Sequence, residues 1–223
     1  MVEKGNLARS KLRTPKAAAI AGVFFSVLLV AAFWLLQTSI PADSFTPNTW
    51  LGERAKAITF ALNLIPFAGI AFLWFIGVLR DRLGGEDRFF STVFLGSGLL
   101  FLAMLFSAAA VASTSVAVFT AVPRQPIDAH AFAFARTLTF DLMNVYAIKM
   151  AGVFMISTST VALYTEFVPR YTGFLGYVLA LFLLLGSGYV EWSFFVFPLW
   201  VLLLSVQILA DRRLNGKSVR STG

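Results

Sequence analysis

The chain has 223 residues, 58% of them hydrophobic and 13% charged, with no cysteine and a single histidine. Soluble domains carry roughly twice that share of charge. The composition excludes an ordinary water-soluble fold, and with it disulfides, thiolate nucleophiles, iron–sulfur clusters, cysteine-bound zinc and bis-histidine haem.

Charge is confined almost entirely to the gaps between six apolar runs: 17–36, 57–79, 89–121, 142–165, 172–190 and 193–210. A helix needs ~17–25 residues to cross a hydrocarbon core of ~30 Å. Lipid offers no water to unpaired backbone groups, so each span must be helical. The expected fold is therefore all-α, a polytopic bundle of six transmembrane helices. It forms one domain over 17–210, flanked by basic segments at 1–16 and 211–223.

The first run follows a basic segment, as a signal peptide would. It is too long for an h-region and ends in Phe33, Trp34, Leu35 and Leu36 rather than in small residues, so a retained helix is expected. Pro66 and Pro198 fall inside the second and sixth runs, where proline kinks a helix. The third run is overlong. As one helix it extends ~50 Å, so it either projects past the hydrocarbon or breaks near Ala112–Ser115. Beyond it, IDAHAFAFARTL (127–138) suggests a short interfacial helix. Small residues four apart, Ala18/Gly22/Ser26, Ala103/Ser107, Ala147/Ala151 and Gly176/Ala180, offer faces for close helix approach.

A net charge of +7 suggests nucleic acid in a soluble protein. Here it reads as topology, because Lys and Arg near span ends stay in the cytoplasm. Thirteen lie in the N-terminal segment, the even-numbered interspan loops and the tail, against four on the other side: Arg54, Lys56, Arg124 and Arg136. Both termini are expected in the cytoplasm, and no nucleic-acid partner is expected. Trp34, Trp50 and Trp192 then fall at external ends, where indoles favour the headgroup layer.

Lys149 lies inside the fourth run, and an ionisable group there suggests function. At 100° per residue, Asp141, Asn144 and Lys149 share an arc of roughly 140°, while Glu53, Lys56, Thr59 and Asn63 share about 120° on the second helix. Facing each other, the two stripes would line an external cavity with Lys56, Asn63, Asp141, Asn144 and Lys149, suited to an anionic headgroup or small anion. The alternative is structural: Lys149 snorkels to the interface, or Asp141 neutralises it without any ligand. Ser157, Thr158, Ser159 and Thr160 are expected to bond carbonyls one turn back. His130 beside Asp128 is an ordinary loop pair, and LGGEDR (83–88) is a turn without the P-loop pattern.

TEFVPRYTGFLGYVLALFLLL (165–185), with Pro169-Arg170 ahead of Leu175-Gly176, and DRFFSTVFLGSGLLFLAMLF (87–106) resemble segments of uncharacterised bacterial multi-pass membrane families. The resemblance implies a bacterial cytoplasmic-membrane protein of about six helices and supplies no reaction. Three functions remain open: a non-enzymatic accessory, assembly or partner subunit; a small carrier or lipid/anion-binding transporter; and a membrane enzyme acting on lipid. The last has the least support, since the runs lack paired carboxylates, metal-ligand clusters and activated nucleophiles. No cofactor or metal is expected. Membrane lipids, other membrane subunits or a second copy are the expected partners.

Overall fold

A computed structural model describes residues 15–40, 51–82, 88–121, 129–165, 169–186, 190 and 192–210. The terminal segments 1–14 and 211–223 lie outside it, as do Trp50, residues 83–87 of the LGGEDR turn and Asp128. Nearly all the described residues are helical, and none is in a strand: α1 (Pro15–Ser39), α2 (Leu51–Arg82), α3 (Arg88–Ala121), α4 (Ala129–Asp141), a π-helical segment (Leu142–Ala147), α5 (Ile148–Thr165), α6 (Arg170–Leu185), a 3-10 turn (Ser193–Phe195) and α7 (Val196–Ala210).

Five rods are long and apolar enough to cross a membrane: Ala17–Ser39, Arg54–Arg80, Ser91–Val118, His130–Tyr164 and Ser193–Ala210. The fifth run is the exception. Its helix, α6, has 16 residues and stops at Leu185, not 190. That is ~24 Å of helix, short of a ~30 Å core.

Helix α1 packs on α2 and α7, α3 lies between α2 and α5, and α6 sits outside against α5. The core is a cluster of rings to which five helices each contribute. Phe72 of α2 lies at its centre, with ring centroids 4.5 Å from Phe25 of α1, 5.5 Å from Phe101 of α3, 5.2 Å from Phe154 of α5 and 5.6 Å from Phe197 of α7. Most of these pairs are tilted or edge-on, the arrangement ring quadrupoles favour. At one end Trp34 lies 6.2 Å from Trp192, so two of the three interfacial indoles share a level.

The third run does not break. Helix α3 is continuous over 34 residues, and its last turns lie along α4, where Ala112, Val116 and Phe132 are partly buried against the core. The interfacial helix expected at 127–138 is not separate either. Backbone angles stay helical at Asp141 (φ −64°, ψ −46°) and Ile148 (φ −62°, ψ −39°), so α4 runs through the π segment into α5. Two rods of ~50 Å thus form an antiparallel pair longer than the hydrocarbon core.

Pro198 sits in the first turn of α7, where a missing N–H is lost from a group unpaired anyway, so no kink is needed. Pro66 is different. It lies inside an unbroken α2 and removes the usual donor of the Leu62 carbonyl.

Three of the four small-residue pairs mark contacts. Ala18 and Ser26 are buried, Ala147 and Ala151 face the core, and Gly176 and Ala180 face α5. A Cβ on Gly176 would meet the Ser159 hydroxyl and come within 3.0 Å of the Trp200 indole nitrogen. Ala103 and Ser107 are exposed and join no interface among the described residues.

Candidate functional site

Asp141, Asn144 and Lys149 lie in or beside an irregular stretch of backbone. Over Leu142–Ala147 the helix is π, with the Ile148 N–H reaching the Met143 carbonyl. Such segments recur at functional sites. Each π turn holds an extra residue, so the 100° wheel used to align Asp141, Asn144 and Lys149 does not apply across it.

Lys149 emerges just below the segment. Its Nζ donates to the Leu184 carbonyl at 2.9 Å. Leu184 is in the last turn of α6, where carbonyls have no intrahelical partner and the negative end of the helix dipole favours a cation. Gly152, one turn below Lys149, permits the approach: a Cβ there would lie 3.2 Å from the Ala180 carbonyl and 3.0 Å from Leu184. Lys149 therefore caps the short helix from its neighbour. The signal was in the sequence: an apolar run interrupted by Gly186, hence a helix end at membrane depth.

Arg54 repeats the device. Its Nη1 donates to the carbonyls of Thr38 and Ser39, each at 3.3 Å, at the C-terminal end of α1. Two of the cations outside the basic segments are thus committed to helix ends.

The five proposed cavity residues are not brought together. Asn144 donates to the Phe140 carbonyl on its own helix at 3.2 Å, and Asp141 is half-buried. Lys149 turns to α6 and not to Asp141. Lys56 and Asn63 lie on an exposed face of α2, whose packing partners are α1 and α3. Between α1, α3, the π segment and α7, beside Leu29, Phe101, Met143 and Phe197, the void measures about 10 Å³. That is the lower edge of the space one water requires, and an apolar lining keeps it dry.

Of the hydroxyl cluster, Ser157, Thr158 and Thr160 bond the carbonyls of Val153, Phe154 and Ile156, as expected. Ser159 does not; its hydroxyl is buried without a hydrogen bond, like the Trp200 indole and the Ser205 hydroxyl. Sequence reasoning missed two links near the other end of α6. Thr160 bonds the Tyr177 hydroxyl at 2.7 Å, and Thr172 donates to Gln207 at 2.7 Å, which in turn donates to Tyr171 at 3.3 Å. These are tertiary contacts between lone polar residues and have no local spacing to reveal them. His130 is exposed. Among the described residues no three His, Asp or Glu side chains gather where a metal could sit.

The capping geometry makes an expected result for Lys149. Lys149→Met should lower thermal stability in mild detergent by about 1 kcal/mol, because it leaves the Leu184 carbonyl unpaired in an apolar setting. Lys149→Arg should retain most of the stability. Combined with Asp141→Asn, the effects should add. A strong coupling between positions 141 and 149 would restore the ion pair and reject the cap.

Compared with known proteins, the chain matches no protein-family model, no curated protein and no solved structure.

Proposed function

We propose that this chain is a six-span integral protein of a bacterial cytoplasmic membrane, with both termini inside, and that it acts as a non-enzymatic partner or assembly subunit. The observation that carries this reading is the filled interior. Rings from five helices occupy the centre, and the void beside them holds no more than about a water. A carrier needs a path, and a lipid enzyme needs a site with convergent polar groups. Most polar side chains here instead cap helix ends, bond carbonyls of their own helix or tie α6 to α5 and α7. Large apolar side chains face outward, among them Phe174, Val178, Leu181 and Leu185 of α6. They are available to lipid and to other membrane proteins.

The sixth crossing is α6 with its capped end. The orientation rests on the thirteen-to-four bias of Lys and Arg. Single cysteines test it against a native background of none. Gly5→Cys, Gly85→Cys and Asn215→Cys should resist an impermeant thiol reagent in intact cells, while Ile127→Cys should react. Labelling of position 85 but not 127 would reverse the topology.

The functional reading is tested by native mass spectrometry from mild detergent, together with tracer flux in proteoliposomes. An assembly of fixed stoichiometry, with no flux above that of empty vesicles, is expected. Solute or lipid movement abolished by Lys149→Met would overturn the reading in favour of a carrier.

A further inference from the structure

Asn63 is a polar residue on the outer face of a span that the fold leaves unexplained. It is exposed on α2 and has no hydrogen-bond partner among the described residues. It is also deep. Arg54, which touches the end of α1, lies nine positions earlier, so Asn63 is ~14 Å further along the helix. A side chain as short as asparagine cannot snorkel that distance. Lipid tails offer an amide no partner, so the arrangement is unfavourable unless something else covers it.

The surroundings indicate what does. Phe60, Asn63, Phe67, Ile70 and Trp74 follow one another at spacings of three and four along α2. The four apolar members are 59%, 63%, 54% and 57% exposed. This is the pattern of a helix–helix seam with one polar position. Below Asn63 the stripe forms a wall of a groove of about 430 Å³, whose other wall is Ile20, Phe24 and Leu28 of α1. Pro66, exposed on the same helix one turn away, frees the Leu62 carbonyl from its usual donor.

We infer that this face of α2 binds a second copy of the chain, with Asn63 paired to Asn63 across a two-fold axis. A carboxamide is both donor and acceptor, so two copies satisfy each other with reciprocal N–H···O bonds. An acyl chain could fill the groove but would leave the amide bare, and headgroups lie at another depth. The inference rests on the partner-subunit reading and names the partner as the chain itself.

The cysteine-free background again supplies the test. Ile70→Cys, in the seam, should form a disulfide-linked dimer in native membranes under mild oxidation. Val178→Cys, on the exposed face of α6, should not. Asn63→Leu should weaken the dimer about tenfold, in line with interhelical polar bonds in membranes, as read by dimer fraction against detergent dilution. Its monomer melting temperature should be unchanged, which excludes misfolding. Asn63→Gln should retain the dimer. An Ile70→Cys chain that stays uncrosslinked, or a dimer indifferent to Asn63→Leu, would overturn the inference. Crosslinking of Ile70→Cys to a different protein would also overturn it while leaving the partner-subunit reading intact; that reading falls only with Lys149-dependent flux.

Discussion

Phe72→Ala should destabilise the protein by about 3 kcal/mol, more than truncation at any other ring of the core. In water such a loss combines a transfer term with a cavity term. In a bilayer the transfer term largely vanishes, because the lipid is as apolar as the core. What remains is contact. Phe72 is fully buried and touches rings from α1, α3, α5 and α7 as well as Phe75 of its own helix, 6.0 Å away. Its removal opens a hole bordered by five helices, none of which can close it without losing its other neighbours. The dispersion energy of those contacts is forfeited outright. Phe72→Leu should cost about 1 kcal/mol, since a branched chain refills part of the space. Unfolding in detergent, followed by temperature or denaturant, measures both. A loss below about 1 kcal/mol for the alanine variant would mean that the bundle collapses around the gap, and the tightly packed core would have to be abandoned.

Gly22→Ala should act in the opposite sense, by overfilling. A Cβ on Gly22 would strike the Ser205 hydroxyl of α7 and come within 2.8 Å of the Phe75 ring of α2. Ser205 can rotate away. Phe75 cannot, being fully buried and stacked beside Phe72. Helix α1 must therefore move off α2, α7 or both, at a cost of about 2 kcal/mol after alanine's better helix propensity is allowed for. Gly96→Ala is the matched control. Nothing lies within 4 Å of a Cβ there, so the same change should be neutral or slightly stabilising. Equal melting temperatures for the two variants would show that α1 is not held as closely as the geometry requires.

The helices themselves were legible because length without charge is a physical measurement against bilayer thickness: the run at 17–36 falls within α1, and that at 193–210 coincides with the 3-10 turn and α7. The small-residue spacing found the α1 and α6 contact faces but also marked Ala103 and Ser107, which are exposed. A four-residue period locates a face without saying whether a helix covers it. The candidate site was less legible for two separate reasons. The wheel that grouped Asp141, Asn144 and Lys149 assumed 3.6 residues per turn across a segment that does not keep that period. And the acceptor that Lys149 meets is a main-chain carbonyl, a group every residue carries and no letter of the sequence marks. Only the premature end of α6 at Leu185, before Gly186, could have shown that such a carbonyl was free at that depth.

The π segment also gives this rod a residue that it can lose without reseating α4. Removing one residue within 142–147 would let that stretch relax into an ordinary α-helix, leaving α5 and its Phe154 and Lys149 contacts in place. Because the wide turn absorbs the extra residue, α4 upstream would keep nearly its bearing and height. A deletion at 135–141, in regular helix, has no such reserve: it would turn the half-buried Phe132 and the exposed Phe134 by ~100° and draw them in by ~1.5 Å. Chains that align with this one through α5 but are one residue shorter at 142–147 would thus present the same outer hairpin on an unbroken α-helix.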